Sequence, residues 1–154
     1  MELHSLPVTP DNRAQILDLQ IMPEQRGYIE SVAECLAEAD QNRRWRPVGL
    51  FDRETLVGFA MYGYFFWEYF PHGRLWLDRL LIDARFQGQG YGRSAVSHLL
   101  ERLSREWPKK PVYLSVIHGN DRAVRLYESF DFHFTGEKDI HGEDIMVRKA
   151  ESNN

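Results

Sequence analysis

The sequence has almost no cysteine and no long hydrophobic run. Cys35 is the only cysteine among 154 residues, which excludes an internal disulfide and a cysteine-based zinc site. No stretch approaches the roughly 18 apolar residues that a membrane helix needs. Residues 1–15 also lack the apolar core of a signal peptide. We therefore expect a cytoplasmic protein without a membrane partner.

Positive charge is not in excess either. Lys and Arg number 19 against 23 for Asp and Glu, a formal net charge of −4. Nucleic-acid-binding domains normally carry a basic face, so we expect no nucleic-acid partner, whereas a cationic substrate is compatible with this balance. The six histidines have no metal-ligand spacing, so no metal is expected. Hydrophobic residues at 43% and charged residues at 27% indicate one globular domain over residues 1–154.

Hydrophobic periodicity predicts strands and helices in alternation. The strands are expected at 2–8, 48–51, 56–62, 74–82 and 112–117, with two more around a turn at 139–142. The helices are expected at 9–19, around 29–36, at 90–107 and from 120 onward. This order, β-α-α-β-β-β-α-β-α-β-β, predicts an α/β or α+β domain built on one mixed sheet.

Two local details accompany that prediction. Thr9 is expected to cap the first helix, with Pro10 at its first helical position. In the second helix, the apolar stripe is expected to run through Ile29, Val32, Ala33 and Leu36, which leaves Cys35 off the stripe. A nucleophilic role for Cys35 is therefore not expected.

The most informative stretch is a glycine-rich loop between a predicted strand and a predicted helix, residues 87–93. Glycines at such a place let the backbone approach a ligand and aim several N–H groups at it, and the helix N-terminus adds partial positive charge. These properties favour a phosphate cradle. The stretch contains no Walker motif, and the dinucleotide fingerprint would need glycine where Arg93 stands. What remains is Gln-x-x-Gly-x-Gly, formed by Gln87, Gly90 and Gly92.

This loop resembles the pyrophosphate loop of the GCN5-related N-acetyltransferases, the GNAT family, where it is written Arg/Gln-x-x-Gly-x-Gly/Ala and follows the fourth strand. Residues 120–128 are similar to that family's Asn-x-x-Ala-x-x-Leu-Tyr-Glu segment in the fourth helix. Both motifs occur in family order, and the resemblance spans essentially the whole chain. It implies a mixed, mostly antiparallel central sheet flanked by about four helices, with acetyl-CoA as co-substrate. Asp131 replaces the family's usual glycine, and Asp tolerates the left-handed conformation expected there.

The resemblance also implies which residues bind the coenzyme. Main-chain groups of Leu80, Leu81 and Ile82 would meet the pantetheine arm, with the Ile82 amide or a neighbour polarising the thioester carbonyl. Asn120 would bond the pantetheine, cap its own helix, or do both. The pyrophosphate would lie on Gln87, Gly88, Gln89, Gly90, Tyr91, Gly92 and Arg93.

Two residues are expected to move protons, and both also have a purely structural interpretation. Tyr127 matches the family tyrosine that protonates the leaving thiolate; otherwise it is a packing aromatic on its helix. Asp78 precedes the pantetheine-binding residues, and strict strand alternation would place it on the face of Leu80 and Ile82. There it would accept the proton of the amine substrate, as in polyamine acetyltransferases; otherwise it forms a salt bridge with a neighbouring arginine.

Within the family, the chain most resembles bacillar polyamine acetyltransferases, in the segments 12–19, 28–31, 47–50, 57–63 and 76–79. The expected function is direct transfer of acetyl from acetyl-CoA to a primary amine, such as spermine or spermidine. Asp78, Glu68 in an aromatic loop and Glu30 on the second helix are candidates to bind it, although Glu68 and Glu30 also suit an ordinary protein surface. Alternatives are acetylation of a protein N-terminus or drug amine, and a non-catalytic acyl-CoA sensor. A homodimer is compatible with the family.

Overall fold

The computed structural model describes residues 1–21 and 31–150. Its centre is one seven-stranded sheet in the order β1-β2-β3-β4-β5-β7-β6, with β4 and β5 parallel and the other neighbours antiparallel. The strands are β1 Leu3–Pro7, β2 Trp45–Asp52, β3 Thr55–Phe65, β4 Arg74–Ile82, β5 Val112–Val116, β6 Phe132–Lys138 and β7 Asp144–Arg148. The helices are α1 Arg13–Leu17, α2 Val32–Gln41, α3 Tyr91–Glu106 and α4 Asp121–Glu128. The predicted element order and the mixed, mostly antiparallel sheet are confirmed.

Helices cover both faces of the sheet. Leu99 and Leu103 of α3 pack with Leu75 and Leu77 of β4 in the larger cluster, which α4 completes with partly buried side chains such as Leu126. The second cluster lies on the other face, between α1, α2 and the outward side of β2 and β3. Burial of these apolar side chains supplies most of the driving force for folding. Among the described residues, no helix is long and apolar enough to cross a membrane.

The start of α1 differs from the prediction. The helix begins at Arg13 with Asn12 at its N-cap, not at Thr9 and Pro10. The reason is a turn in front of the helix, in which the Thr9 N–H donates to Oδ1 of Asn12 at 2.8 Å. Pro10 lies in that turn, where its fixed φ is equally suitable.

The apolar stripe of α2 was also predicted one position wrong. Its buried residues are Val32, Cys35, Leu36 and Ala39, and Cys35 is only 1% exposed. Ala33 faces solvent, and Ile29 lies outside the described residues. The helix begins at a side-chain cap, since Ser31 Oγ accepts from the Glu34 N–H at 3.1 Å and donates to the Glu34 carboxylate. This cap fixes the rotation of the helix and turns the Cys35 thiol into the second cluster.

Strand β4 is irregular in its pairing with both of its neighbours. The register of β3 and β4 shifts between Ala60 and Met61, so that Arg79 is an extra residue with a left-handed φ of 49°. On its other side, β4 pairs with β5 at only two positions, Leu75 with Val112 and Trp76 with Tyr113. Beyond these pairs the two parallel strands have no further registered partners, and the sheet opens between them.

Candidate active site

A cleft of about 880 Å³ lies where β4 and β5 part. Its walls come from the end of β4, the glycine loop, the start of α3, β5, the start of α4 and the turn between β6 and β7. The residues that line it are Glu34, Leu77, Arg79, Leu80, Ile82, Phe86, Gln87, Gly88, Gly90, Tyr91, Gly92, Arg93, Leu114, Ser115, Val116, Ile117, His118, Asn120, Arg122, Ala123, Leu126, Tyr127, His141, Gly142 and Glu143. Both sequence motifs therefore face one space.

The end of β4 offers this cleft a strand edge. Leu80 and Ile82 line the cleft, whereas Leu81 is 2% exposed and packs in the cluster on the other face of the sheet. Main-chain groups of β4 that would face β5 have no registered partner there. An extended molecule could pair with them as an added strand does.

The glycine loop leaves space beside its backbone that protein side chains do not fill. Gly88 and Gly90 have left-handed φ values of 77° and 86°, and a Cβ at either residue would meet no atom within 4 Å. Gly92 has no such φ, and its Cβ would meet only a Leu126 methyl at 3.8 Å. Internal packing therefore does not require glycine at position 92. The open space in front of these α-carbons is where a ligand can approach the backbone.

The N-terminus of α3 points its unpaired donors at the same loop. Its N-cap is Gly90, and no side chain caps it. The first intrahelical bond runs from Ser94 N to Gly90 O at 3.2 Å, which leaves the N–H groups of the first turn without helical acceptors. Together with the helix dipole, these donors favour an anion.

Asp83 holds the segment that leads into the loop. Its side chain is fully buried and accepts from the main-chain N–H groups of Gln20 and Arg85, each at 2.9 Å, and from the Arg85 guanidinium. Burial alone would raise the pKa of Asp83, but these hydrogen bonds and the charge of Arg85 lower it. The Gln87 side chain donates to Ile82 O at 3.0 Å, so it shapes the loop from the strand side.

Two further contacts orient the motifs. The Tyr91 hydroxyl donates to Asp52 at 2.6 Å, which ties the first residue of α3 to the end of β2. Asn120 caps α4 through its side-chain oxygen, which accepts from Ala123 N, and it also lines the cleft. Capping by Asn120 is thus confirmed, and its position leaves it able to reach a ligand as well. Asp131 has a φ of 69°, as predicted for the residue that replaces glycine.

Tyr127 lies in the cleft, half-buried and in edge-to-face contact with Phe132. Burial raises the pKa of Tyr127 to about 12, and the charge of Asp78 raises it further in the same direction. The phenol is therefore protonated at neutral pH and available as a proton donor.

The expected orientation of Asp78 is wrong. Strict alternation would place it with Leu80 and Ile82, but the extra residue Arg79 reverses the alternation. Asp78 pairs with Met61 and Leu80 with Ala60, and Met61 and Ala60 pack in different clusters. Asp78 is absent from the cleft lining and forms a 2.7 Å ion pair with Arg79, with both side chains 13% exposed. Asp78 therefore forms the salt bridge of the structural interpretation, and its charge also raises the pKa of Tyr127.

The other two carboxylates predicted to bind substrate are Glu68 and Glu30. Glu68 lies in a short 3₁₀ turn, is ion-paired with Arg44 and does not line the cleft. Glu30 lies outside the described residues. Glu34, in the first turn of α2, does line the cleft and brings a carboxylate to it.

Several side chains of the cleft carry no sequence signal that would have identified them. Arg79 and Glu143 come from a β-bulge and from the turn between β6 and β7, and Arg122 and His118 flank the start of α4. Their contribution depends on elements far apart in the chain. Within residues 1–21 and 31–150, no group of three or more His, Cys, Asp or Glu side chains is arranged to hold a metal ion.

Comparison with known structures supports the fold. The chain is similar to the spermidine N-acetyltransferase of Vibrio cholerae in complex with CoA and spermine, with a TM-score of 0.69 and 19% identity over 95% of this chain and 93% of that one. It is also similar to the aminoglycoside acetyltransferase AAC(6')-Ib in complex with coenzyme A, with a TM-score of 0.78 and 18% identity over 96% and 95% of the two chains.

Comparison of sequences shows the family as well as the fold. The spermine/spermidine N(1)-acetyltransferase of Bacillus subtilis strain 168 is 44% identical over 151 residues, which cover 97% of this chain and 99% of that protein. Residues 13–132 match the acetyltransferase (GNAT) family. Because the matched range contains both the glycine loop and Tyr127, the two motifs and the family assignment agree, and this chain belongs to the GNAT family of acetyltransferases.

Proposed function

We propose that this protein transfers the acetyl group of acetyl-CoA to a primary amine, and that the amine is a polyamine such as spermine or spermidine. The observation that carries the proposal is the open space in front of Gly88 and Gly90, beside a helix start without a side-chain cap and the end of β4 that has no registered partner on β5. A diphosphate attached to an extended arm has the shape and charge for this arrangement.

The residues of the cleft fit the coenzyme in two parts. The main chain of residues 87–93, with the Arg93 side chain, would hold the pyrophosphate, and Arg122 adds a cation to the same cleft. The strand edge at Leu80 and Ile82, with Asn120 opposite, would hold the pantetheine arm. When bound, the coenzyme supplies an acyl group activated as a thioester.

Tyr127 is proposed to donate the proton that the departing sulfur needs. Its phenol is neutral at physiological pH because its pKa is raised to about 12, and it lines the cleft that β4 and β5 enclose. The main-chain N–H of Ile82, or of a neighbour on the same strand, is proposed to polarise the thioester carbonyl. The transfer is proposed to be direct, because Cys35, the sole cysteine, is buried on the other side of the sheet.

The amine is proposed to be a polycation. Asp78 and Glu34 place negative charge at or beside the cleft, and an alkylammonium has a pKa of about 10.4 and enters as a cation. The 44% identity to a protein named spermine/spermidine N(1)-acetyltransferase supports the same substrate class. Asp78 was predicted to accept the proton of the amine, and this role remains a prediction, since Arg79 occupies its carboxylate.

The test is an amine panel with a thiol-detecting readout. Spermidine and spermine are compared with an aminoglycoside and with a peptide that has a free N-terminus, each at saturating acetyl-CoA. Thiol release that depends on the polyamines, with a higher kcat/KM than for the other amines, is expected. A higher kcat/KM for the peptide or the aminoglycoside would show that the proposed polyamine substrate is wrong. Coenzyme binding by calorimetry without turnover of any amine would indicate an acyl-CoA sensor.

A further inference from the structure

The turn between β6 and β7 contributes an acidic side chain to the cleft. Residues 141–143 line the cleft, and the Glu143 side chain is half-buried there. This residue is separated from Tyr127 by a whole strand in the sequence. The fold brings the two together because β7 pairs with β5, the strand that forms the other wall of the opening.

The turn is held rigidly, so that the position of Glu143 is well defined. Oδ1 of Asp139 accepts from the N–H groups of His141 at 2.8 Å and Glu143 at 2.9 Å. The Asp139 N–H donates to Glu143 O at 2.9 Å, and the Gly142 N–H donates to Asp139 O at 3.0 Å. A catalytic group must be held in place by such supporting bonds if it is to meet a reacting atom.

The ion pair between Asp78 and Arg79 links Glu143 to Tyr127. The Asp78 charge acts on Tyr127, and the Arg79 charge acts on Glu143, while Asp78 and Arg79 are 2.7 Å apart. Tyr127 and Glu143 therefore each interact electrostatically with one member of the same partly buried ion pair. Both side chains also line the cleft, so we expect the amine to approach the acyl group beside them.

The protonation of this carboxyl is set by its surroundings. Burial raises the pKa of Glu143 most strongly, its hydrogen bond to Asp139 raises it too, and the charge of Arg79 opposes both. Hydrogen bonds from the main chain lower the pKa of Asp139, against the effect of burial, so Asp139 stays ionised. The charged groups that act on Glu143 are Arg79 of β4 and Asp139 and His141 of its own hairpin, and Asp144 follows it in the chain. The other titratable groups that line the cleft are Glu34, Arg93, His118, Arg122 and Tyr127.

We propose that Glu143 is the catalytic carboxylate that receives the ammonium group of the substrate and removes its proton. This inference rests on the proposed transfer of acetyl to an amine. It gives the acceptor role to a residue that lines the cleft instead of Asp78, which does not line it and is ion-paired with Arg79. A carboxylate whose proton affinity is above the ordinary range is a stronger base when it is ionised, and an arriving cation favours that ionised form.

The protons balance as follows. Glu143 takes one proton from the ammonium group and passes it to solvent, and the neutral nitrogen then attacks the thioester carbonyl carbon. As the C–N bond forms and the C–S bond breaks, the nitrogen loses a second proton and Tyr127 gives one to the sulfur. The tyrosinate takes up the second proton, so each turnover releases one proton, one thiol and one N-acetylamine.

Glu143→Gln is the variant that tests this role, because glutamine can still donate the hydrogen bond to Asp139 that the protonated glutamate donates. At about pH 7, we expect kcat/KM for spermidine to fall by about 100-fold, the lower end of general-base contributions. Near pH 9.5, closer to the alkylammonium pKa of about 10.4, the loss should shrink to less than about tenfold. Acetyl-CoA affinity, measured by calorimetry, should change by less than about twofold, which also reports that the variant is folded.

Two further variants complete the test. Glu137→Gln changes an exposed glutamate of the same hairpin that pairs with Arg74 outside the cleft, and it should keep wild-type kinetics. Glu143→Asp keeps the carboxylate and should recover part of the rate. A loss equal at both pH values, or no loss, would overturn the inference while wild-type turnover upholds the proposed function. Wild-type protein that acetylates no amine would instead refute the proposed function itself.

Discussion

The two ends of the cleft are built in different ways. The end that we propose to bind the coenzyme, the coenzyme end, consists of consecutive residues, the loop 87–93 and the helix that follows it, and it offers mainly backbone N–H groups. The amine end consists of single side chains, Tyr127 from α4, Arg79 from a bulge in β4 and Glu143 from a hairpin turn. A ligand at the first end is held by the local chain path, whereas a ligand at the second is held by the packing of three distant elements.

This difference determines what a substitution can do. At the coenzyme end, any residue whose backbone can follow the loop is tolerated, provided that no side chain enters the open space. At the amine end, the identity of one functional group carries the chemistry, and an isosteric change is enough to remove it. The variants below separate these two cases.

The largest effect is expected for Tyr127→Phe. Removal of the phenol leaves the ring and its contact with Phe132, but the sulfur loses its proton donor. We expect kcat to fall by about 10²- to 10⁴-fold, with acetyl-CoA affinity unchanged. Steady-state thiol release and calorimetry measure the two quantities. Tyr113→Phe, on β5 against Arg74, is the matched control and should retain wild-type kcat; a similar loss there would remove the special role of Tyr127.

Gly92→Val is expected to break the coenzyme end alone. A Cβ at this position would meet only a Leu126 methyl, at 3.8 Å, which is an ordinary contact, so we expect the branched side chain to fill part of the ligand's space without unfolding the protein. We expect acetyl-CoA to bind about 100-fold more weakly, a loss of about 2.7 kcal/mol, while thermal stability is kept. Gly92→Ala is the control, because the family loop accepts alanine here. Wild-type affinity of Gly92→Val in calorimetry would refute the assignment of the loop.

Asp83→Asn tests how much the buried carboxylate that precedes the glycine loop contributes to the stability of the folded protein. The buried carboxylate accepts from two main-chain N–H groups and from Arg85, and its lowered pKa means that it stabilises the folded protein when ionised. We expect the free energy of unfolding in urea to fall by about 2 kcal/mol at neutral pH. The difference should shrink as the pH falls below about 4, through the unfolded and then the folded pKa. Asp11→Asn, on the exposed surface, should change stability by less than about 0.5 kcal/mol.

The smallest effect is expected for Asp78→Asn. If Glu143 takes the proton, loss of the Asp78 charge lowers the pKa of Tyr127 and loosens Arg79, but it removes no proton acceptor. We expect kcat/KM to fall by less than about tenfold, equally across the pH range. A defect that is large near neutral pH and disappears at alkaline pH would return the acceptor role to Asp78, as the sequence alone suggested.

The sequence by itself determined the element order, the family and the glycine loop at the start of α3 that we propose to bind the coenzyme. Those features depend on periodicity and on residues that are neighbours in the chain, such as Gln87, Gly90 and Gly92, and Asn120 with Tyr127. Even the left-handed Asp131 followed from local sterics.

Only the tertiary structure decided the amine end. The bulge at Arg79 turned Asp78 away from Leu80, the cap at Ser31 turned Cys35 into the core, and the pairing of β7 with β5 carried Glu143 to the cleft. The bulge and the strand pairing have no local signature, because register and strand order are set by which apolar surfaces are buried together across the whole chain. The Ser31 cap does have a local pattern, with Glu34 three residues later, but the burial of Cys35 depends on the sheet face against which α2 packs.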